Sequence, residues 1–221
     1  MEAQKQNLIL LTISQPSKPT IKMVTEAGLI GKIGLNSSGV GVCLNAIRAK
    51  GMDPTRLPCH LGLRMVLEST SRDEALAKLQ KHGIASACHM LIADATGGVG
   101  AEFSFIDSQT VRMNDAGQVF HSNHYLVEHP GVTDSNWLGD SQFRVKRIEE
   151  LTNRIGEEPS MDRMSELFRD EENYPAAICR REEGDCHSAT LFNIVMDLKS
   201  KVARVTLGRP VEPEEYHELS F

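Results

Sequence analysis

The stretch that most constrains the fold runs from Thr20 to Ile47, TIKMVTEAGLIGKIGLNSSGVGVCLNAI. Apolar residues alternate on either side of Asn36-Ser37-Ser38-Gly39, which has the composition of a hairpin turn. Two antiparallel strands with one buried face are predicted here. Gly28, Gly31, Gly34, Gly39 and Gly41 crowd the same stretch. Glycine weakens a strand interior unless backbones or a ligand must approach closely, so a tightly packed sheet or a binding surface is expected.

The rest of the chain extends that pattern. Leu8 to Ile13 and Thr20 to Thr25 read as strands, separated by a turn over Ser14 to Pro19. Two helices follow: one over Leu61 to Glu68, and one that starts at the capping box Ser71-Arg72-Asp73-Glu74, runs to about Lys81 and stops at Gly83. Strands are expected at Ala87 to Ala93, Val99 to Phe105, Thr110 to Met113 and Gln118 to Tyr125, with a turn at Asn114-Asp115-Ala116-Gly117. A looser segment, His129 to Asp140, precedes amphipathic helices at Ser141 to Arg154 and Met161 to Arg169. Ala189 to Asp197 and Lys201 to Leu207 then pair as a hairpin around Leu198-Lys199-Ser200. No internal repeat interrupts this order, which predicts a single α+β domain over 1–221. Its antiparallel sheets stack with helices outside.

Composition narrows the class of function. Apolar content of 40% and charged content of 24% are those of a globular chain. A formal net charge of −6 argues against nucleic acid as a partner, because phosphate binding needs a basic surface. No apolar run approaches the ~20 residues of a membrane span. The opening MEAQKQNLILLTIS begins acidic and polar and lacks a signal-peptide pattern. The ending EEYHELSF is not a Ser-Lys-Leu type address, so a cytoplasmic location is expected. Cys43, Cys59, Cys88, Cys179 and Cys186 form no Cys-x-x-Cys pair, so they read as buried thiols of a reducing compartment.

The chemistry-bearing stretch is VFHSNHYL, Val119 to Leu126. His121 and His124 form an H-x-x-H pair. In a strand, residues three apart point to opposite faces, so no metal site is expected from them. Asn123 offers two amide N–H donors, which is what an oxyanion hole uses, although a satisfied strand-end asparagine is the more ordinary reading. Asn36 reads as a turn residue, and Asn45 lies past the second strand of the hairpin, where it has access to a cleft. Cys186-His187 is a poor nucleophile–base pair, because adjacent residues of an extended segment point apart. Asp140-Ser141 reads as a plain N-cap.

Several strings then point to one family. TIKMVTEAGLIGKIGLNSSGVGVCLNAI, RLPCHLGLRMVLESTS, VFHSNHYL, EENYPAAICR, SATLFNIVMD and VTLGRP occur in order and cover nearly the whole chain. Together they resemble the fungal acyl-coenzyme A:isopenicillin N acyltransferase family. That resemblance implies an N-terminal nucleophile (Ntn) hydrolase, an αββα sandwich of two stacked antiparallel sheets. Its members cut themselves before a cysteine whose thiol attacks an amide or thioester, with the cysteine's own α-amine as base. It also implies Asn123 as the oxyanion donor, Asn45 as oxyanion support, and Ala46 and His187 as substrate-binding residues. No resident cofactor is implied, with acyl-coenzyme A as a candidate co-substrate, and the substrate would be a small amide, thioester or β-lactam-like molecule.

Two departures from the family pattern shape the expectation. Met1 aligns past the family's nucleophilic cysteine, none of the five cysteines occupies that position, and the smaller subunit has no counterpart here. The chain is therefore read as most of the larger subunit, incomplete at its N-terminus, and as written without turnover. His187 stands where the family has an arginine, an imidazole in place of an always-charged bidentate donor. The competing reading is a non-catalytic binding module of the same fold.

Overall fold

A computed structural model describes residues 2–155 and 159–221. After a short helix α1 (Glu2–Lys5), seven strands follow one another as an antiparallel meander: β1 (Leu8–Ile13), β2 (Ile21–Glu26), β3 (Ile33–Asn36), β4 (Gly41–Ala46), β5 (Cys88–Asp94), β6 (Gly97–Phe103) and β7 (Ser108–Val111). Helices α2 (Cys59–Leu67) and α3 (Arg72–His82) lie between β4 and β5. After a long irregular segment come α4 (Ser141–Ile155) and α5 (Met161–Leu167), then a second antiparallel sheet of β8 (Phe192–Asp197), β9 (Val202–Arg209) and β10 (Glu212–Ser220), in the order β10-β9-β8.

The period-two alternation of each strand decides which side chains face which layer. Ile21, Met23, Val42, Met90, Ile92, Ala101 and Phe103 join Leu63, Val66, Leu67 and Leu79 of α2 and α3 in one core. Val24 and Leu35 point the other way and meet Ala203, Val205 and Leu219 of the smaller sheet in a second core. Helix α5 packs on β8 and α4 on α5, which closes the expected helix–sheet–sheet–helix order. The smaller sheet packs mainly against β2 and β3. By the same alternation, Asn45 of β4, His89 of β5 and Glu102 of β6 share the face turned away from α2 and α3.

Local sequence signals explain most boundaries. Ser71 caps α3 through Glu74 N–H at 3.2 Å, while the Glu74 carboxylate reaches back one residue further than a capping box requires, to the backbone N–H of Thr70 at 2.7 Å. Gly83 ends the helix at φ +66°. Two expectations need correction. Gln118 to Tyr125 is not a strand: its polar groups bond to Glu102, Ala46 and Ser141 rather than to the outer edge of β7. Conversely, Glu212–Ser220, not foreseen as a strand, pairs with β9 through a bulge at Pro213/Glu215. Its outward residues are mostly charged, which hides the strand pattern.

Asn36 does more than form a turn. Fully buried, it donates through Nδ2 to the carbonyls of Leu67 at 2.9 Å and Ser69 at 2.7 Å, and its Oδ1 accepts from the N–H groups of Ser38 and Val40 at 2.9 and 3.0 Å. One amide thus ties the β3–β4 hairpin to the end of α2. Asn36→Ala leaves these buried groups without partners, and a loss of about 3 kcal/mol is expected in urea unfolding. A change under about 0.5 kcal/mol, the range of ordinary surface substitutions, would show that the tie is dispensable.

Candidate functional site

The irregular segment after β7 is held by one carboxylate. Glu102 is fully buried, yet each of its oxygens accepts two bonds. Oε1 accepts from His121 Nε2 at 2.7 Å and from Leu126 N–H at 2.6 Å. Oε2 accepts from Val127 N–H at 3.1 Å and from His129 Nε2 at 3.3 Å. These bonds hold the Glu102 carboxyl below its ordinary value of 4.5 although burial pushes it the other way. The other nitrogen of His129 bonds to Asp107 at 2.7 Å, and that of His121 bonds to the Ser122 carbonyl at 2.8 Å. Both ring nitrogens of His121 thus face an oxygen acceptor.

His89 lies flat on His121, with centroids 3.5 Å apart and planes 8° from parallel. Burial, and then the charge of His121, hold His89 well below 6.5, so it is neutral. Its Nδ1 lies 2.9 Å from Asn45 Oδ1. Gly100 makes room for this ring, since a Cβ there would stand 2.7 Å from His89 Nε2.

Asn123 is fixed on three sides. Its backbone N–H donates to Ser141 Oγ at 2.7 Å. Its Oδ1 accepts from Arg144 Nη2 at 2.9 Å and from Ser122 Oγ at 3.3 Å. Its Nδ2 donates to the Ala46 carbonyl at 2.9 Å, which sets it beside Asn45. Arg144 in turn bonds Asp140 at 2.5 Å, and Asp140 bonds Arg180, also at 2.5 Å. Both guanidiniums hold the Asp140 carboxyl below 3.8 against the effect of burial. Asp140 and Ser141 do stand at the start of α4, but their side chains serve this network rather than a simple cap.

Asn45, Ala46 and Asn123 are therefore brought together, Ala46 through its carbonyl. His187 is exposed and takes no part in their network. It follows Cys186, whose buried sulfur lies 3.3 Å from Arg180 Nη2. His121 and His124 bond different partners, Glu102 and Ser141. Cys59 and Cys88 belong to the core on the helix side of the large sheet. Burial pushes the Cys43 thiol up to about 11 and raises that of Cys179. Sequence reasoning missed His89, Glu102, Arg144 and Arg180. Only Glu102 gave a signal, a carboxylate in a strand between apolar neighbours that face the core.

Comparison with known proteins follows this geometry. The profile of the acyl-coenzyme A:6-aminopenicillanic acid acyl-transferase family matches residues 1–212. The 40 kDa form of acyl-coenzyme A:6-aminopenicillanic-acid-acyltransferase from Emericella nidulans is 45% identical over 222 residues, 99% of this chain. The chain spans 62% of that relative's length. Among solved structures, penicillin V acylase from Agrobacterium tumefaciens superposes with a TM-score of 0.65 at 16% identity, covering 94% of this chain and 71% of that one. A conjugated bile acid hydrolase from Clostridium perfringens gives 0.65 at 14%, covering 97% and 84%. These two likenesses establish the Ntn-hydrolase fold.

The titrations give a signed expectation. His89 and His124 have depressed values in the folded state, so the unfolded chain binds more protons just below 6.5. Their contribution is complete above pH 6.5 and is lost as pH falls through their folded values. Glu102 and Asp140, depressed from 4.5 and 3.8, add a second loss below those values. The unfolding midpoint is expected to fall in two stages between pH 7.5 and 3, and His89→Phe to flatten the upper one. A midpoint that rises on acidification from 7.5 to 5.5 contradicts the assignment.

Proposed function

The chain belongs to the acyl-coenzyme A:6-aminopenicillanic acid acyl-transferase family, and from that premise we propose that it carries the oxyanion wall of a cysteine Ntn-type acyltransferase or amidohydrolase. One observation supports the reading above others. In both Asn45 and Asn123 the carboxamide oxygen is already occupied by a protein donor, His89 in one case and Arg144 with Ser122 in the other. An amide tethered by its oxygen presents N–H outward, the polarity an oxyanion needs. The second N–H of Asn123, beside the one bound to Ala46, has no acceptor among the described residues.

In the proposed reaction a thiolate attacks the carbonyl carbon of a thioester or amide. The carbonyl π pair moves onto oxygen, where Asn123 and Asn45 donate to it. Collapse expels the thiol or amine with a proton and leaves an acyl-enzyme. An amine acceptor or water then attacks, and the cysteine leaves as its thiol. A base near pKa ~8, the ordinary value of an α-amine, moves the proton at neutral pH. The nucleophile is none of the five cysteines: the buried thiols of Cys43 and Cys179 are raised away from the thiolate, Cys59 and Cys88 lie on the helix side of the sheet, and Cys186 is buried against Arg180. The substrate class is a small molecule with an acyl carbonyl, as in the names of the relatives; acyl-coenzyme A fits as the thioester donor, and His187 lines the acceptor side.

Two measurements test this. The transcript upstream of the Met1 codon is expected to read through to an in-frame cysteine; a transcript that starts at Met1 sinks the catalytic reading. In the full-length product, Asn123→Ala is expected to lower kcat for acyl transfer or amide hydrolysis by ~10²–10³ with the unfolding midpoint kept. Full activity in that variant removes Asn123 from the role.

A further inference from the structure

Asn45 can donate to an oxyanion only if its carboxamide faces the right way, and the structure holds a device that decides this. His89 is fully buried, and its Nε2 has no hydrogen-bond partner among the described residues. The same atom sits so close to Gly100 that a Cβ there would come within 2.7 Å. On the other side of the ring, at a stacking distance of 3.5 Å, lies His121, whose two nitrogens face Ser122 O and Glu102 Oε1. Full burial disfavours a charged ring, so His89 carries a single proton.

Where that proton sits follows from what each nitrogen meets. On Nε2 it would have no acceptor, and the bare Nδ1 would face the Asn45 oxygen lone pair to lone pair. On Nδ1 it meets Asn45 Oδ1 at 2.9 Å. The flipped carboxamide, donating Nδ2–H to a bare Nδ1, would force the proton onto the unpartnered side. We propose that His89 is a positioning residue, held as the Nδ1–H tautomer between His121 and Gly100, that locks the Asn45 carboxamide with its N–H groups turned away from the sheet and toward the acyl carbonyl. The proposal rests on the reading of Asn45 as an oxyanion donor.

The test pairs a direct readout with a kinetic one. In the ¹⁵N-labelled chain, long-range ¹H–¹⁵N correlations of the His89 imidazole, assigned by their loss in His89→Phe, are expected to show protonated Nδ1 and bare Nε2. In the full-length protein, His89→Phe keeps a ring for the stack but removes the donor, and kcat is expected to fall at least tenfold with KM within twofold. His89→Asn places an amide N–H near the Nδ1 position, and most of kcat is expected to return although the stack is lost. A packing role predicts the reverse order, Phe mild and Asn severe, and that order overturns the proposal. So does an Nε2–H tautomer, which is read without any turnover or variant stability. If the Nδ1–H tautomer is found but Asn45→Ala keeps full kcat, the donor reading itself has failed and the proposed role of His89 goes with it; the tautomer separates the two failures.

Discussion

A carboxylate with no exposed surface, Glu102, is the constraint on which the rest of the site depends. Removing such a group from water costs several kcal/mol, and attraction to partners offsets this only when the geometry is good and the remaining lone pairs are met. Here they are met: two imidazole donors and two backbone N–H groups converge on its oxygens. Asp107 continues the line through His129, so carboxylates and imidazoles alternate from the end of β6 to His121. The result is an ordered segment without a ladder. Residues 121–129 hold their course over the sheet because their donors are fixed on one side chain of β6, and Asn123 rides on that segment.

The two candidate donors are oriented by opposite kinds of partner. Asn123 is gripped by a cation, Arg144, which Asp140 aligns and which a second guanidinium, Arg180, balances. Asn45 is gripped by a neutral imidazole whose neutrality comes from burial and a charged neighbour. Both arrangements fill the carboxamide oxygen. A carboxamide left free would sample both faces and present a lone pair to a developing oxyanion half of the time. Preorganisation of donors, with no reorganisation at the moment of reaction, is where the stabilisation of such a charge originates.

How much of this is legible in the sequence depends on the range of the interaction. Strand periodicity around Asn36 to Gly39, the Ser71 cap and the Gly83 stop act over a few residues, and they place β1 to β6 and α2 to α5 within a residue or two. Asn45, Ala46 and Asn123 come from resemblance rather than spacing, and the structure brings them together across an interval of 77 residues between Ala46 and Asn123. The Asp140–Arg180 bond closes over 40 residues and has no local signature. The segment Gln118 to Tyr125 fails as a strand for an instructive reason. Val119, Phe120 and Tyr125 give it strand-forming residues, but its hydrogen-bonding groups are taken by Glu102, Ser141 and Ala46 before any neighbouring strand can use them. Glu212–Ser220 fails in the other direction, because an edge strand with charged outward residues needs only β9 to form.

The placement of the thiols completes the physical case for a divided site. A cysteine acts as a nucleophile only as its thiolate, which needs solvent or a nearby cation to stabilise it. Cys43 shares the inter-sheet face with Asn45 but has a thiol pushed up to about 11 by burial alone, with no cation to oppose it. Cys186 has a cation, Arg180, yet that arginine is committed to Asp140 and the sulfur is buried. The described residues thus concentrate their polar organisation on aiming N–H donors, while burial favours the neutral thiol at Cys43 and Cys179. Donors held in that way have the polarity that a developing negative charge on a carbonyl oxygen requires.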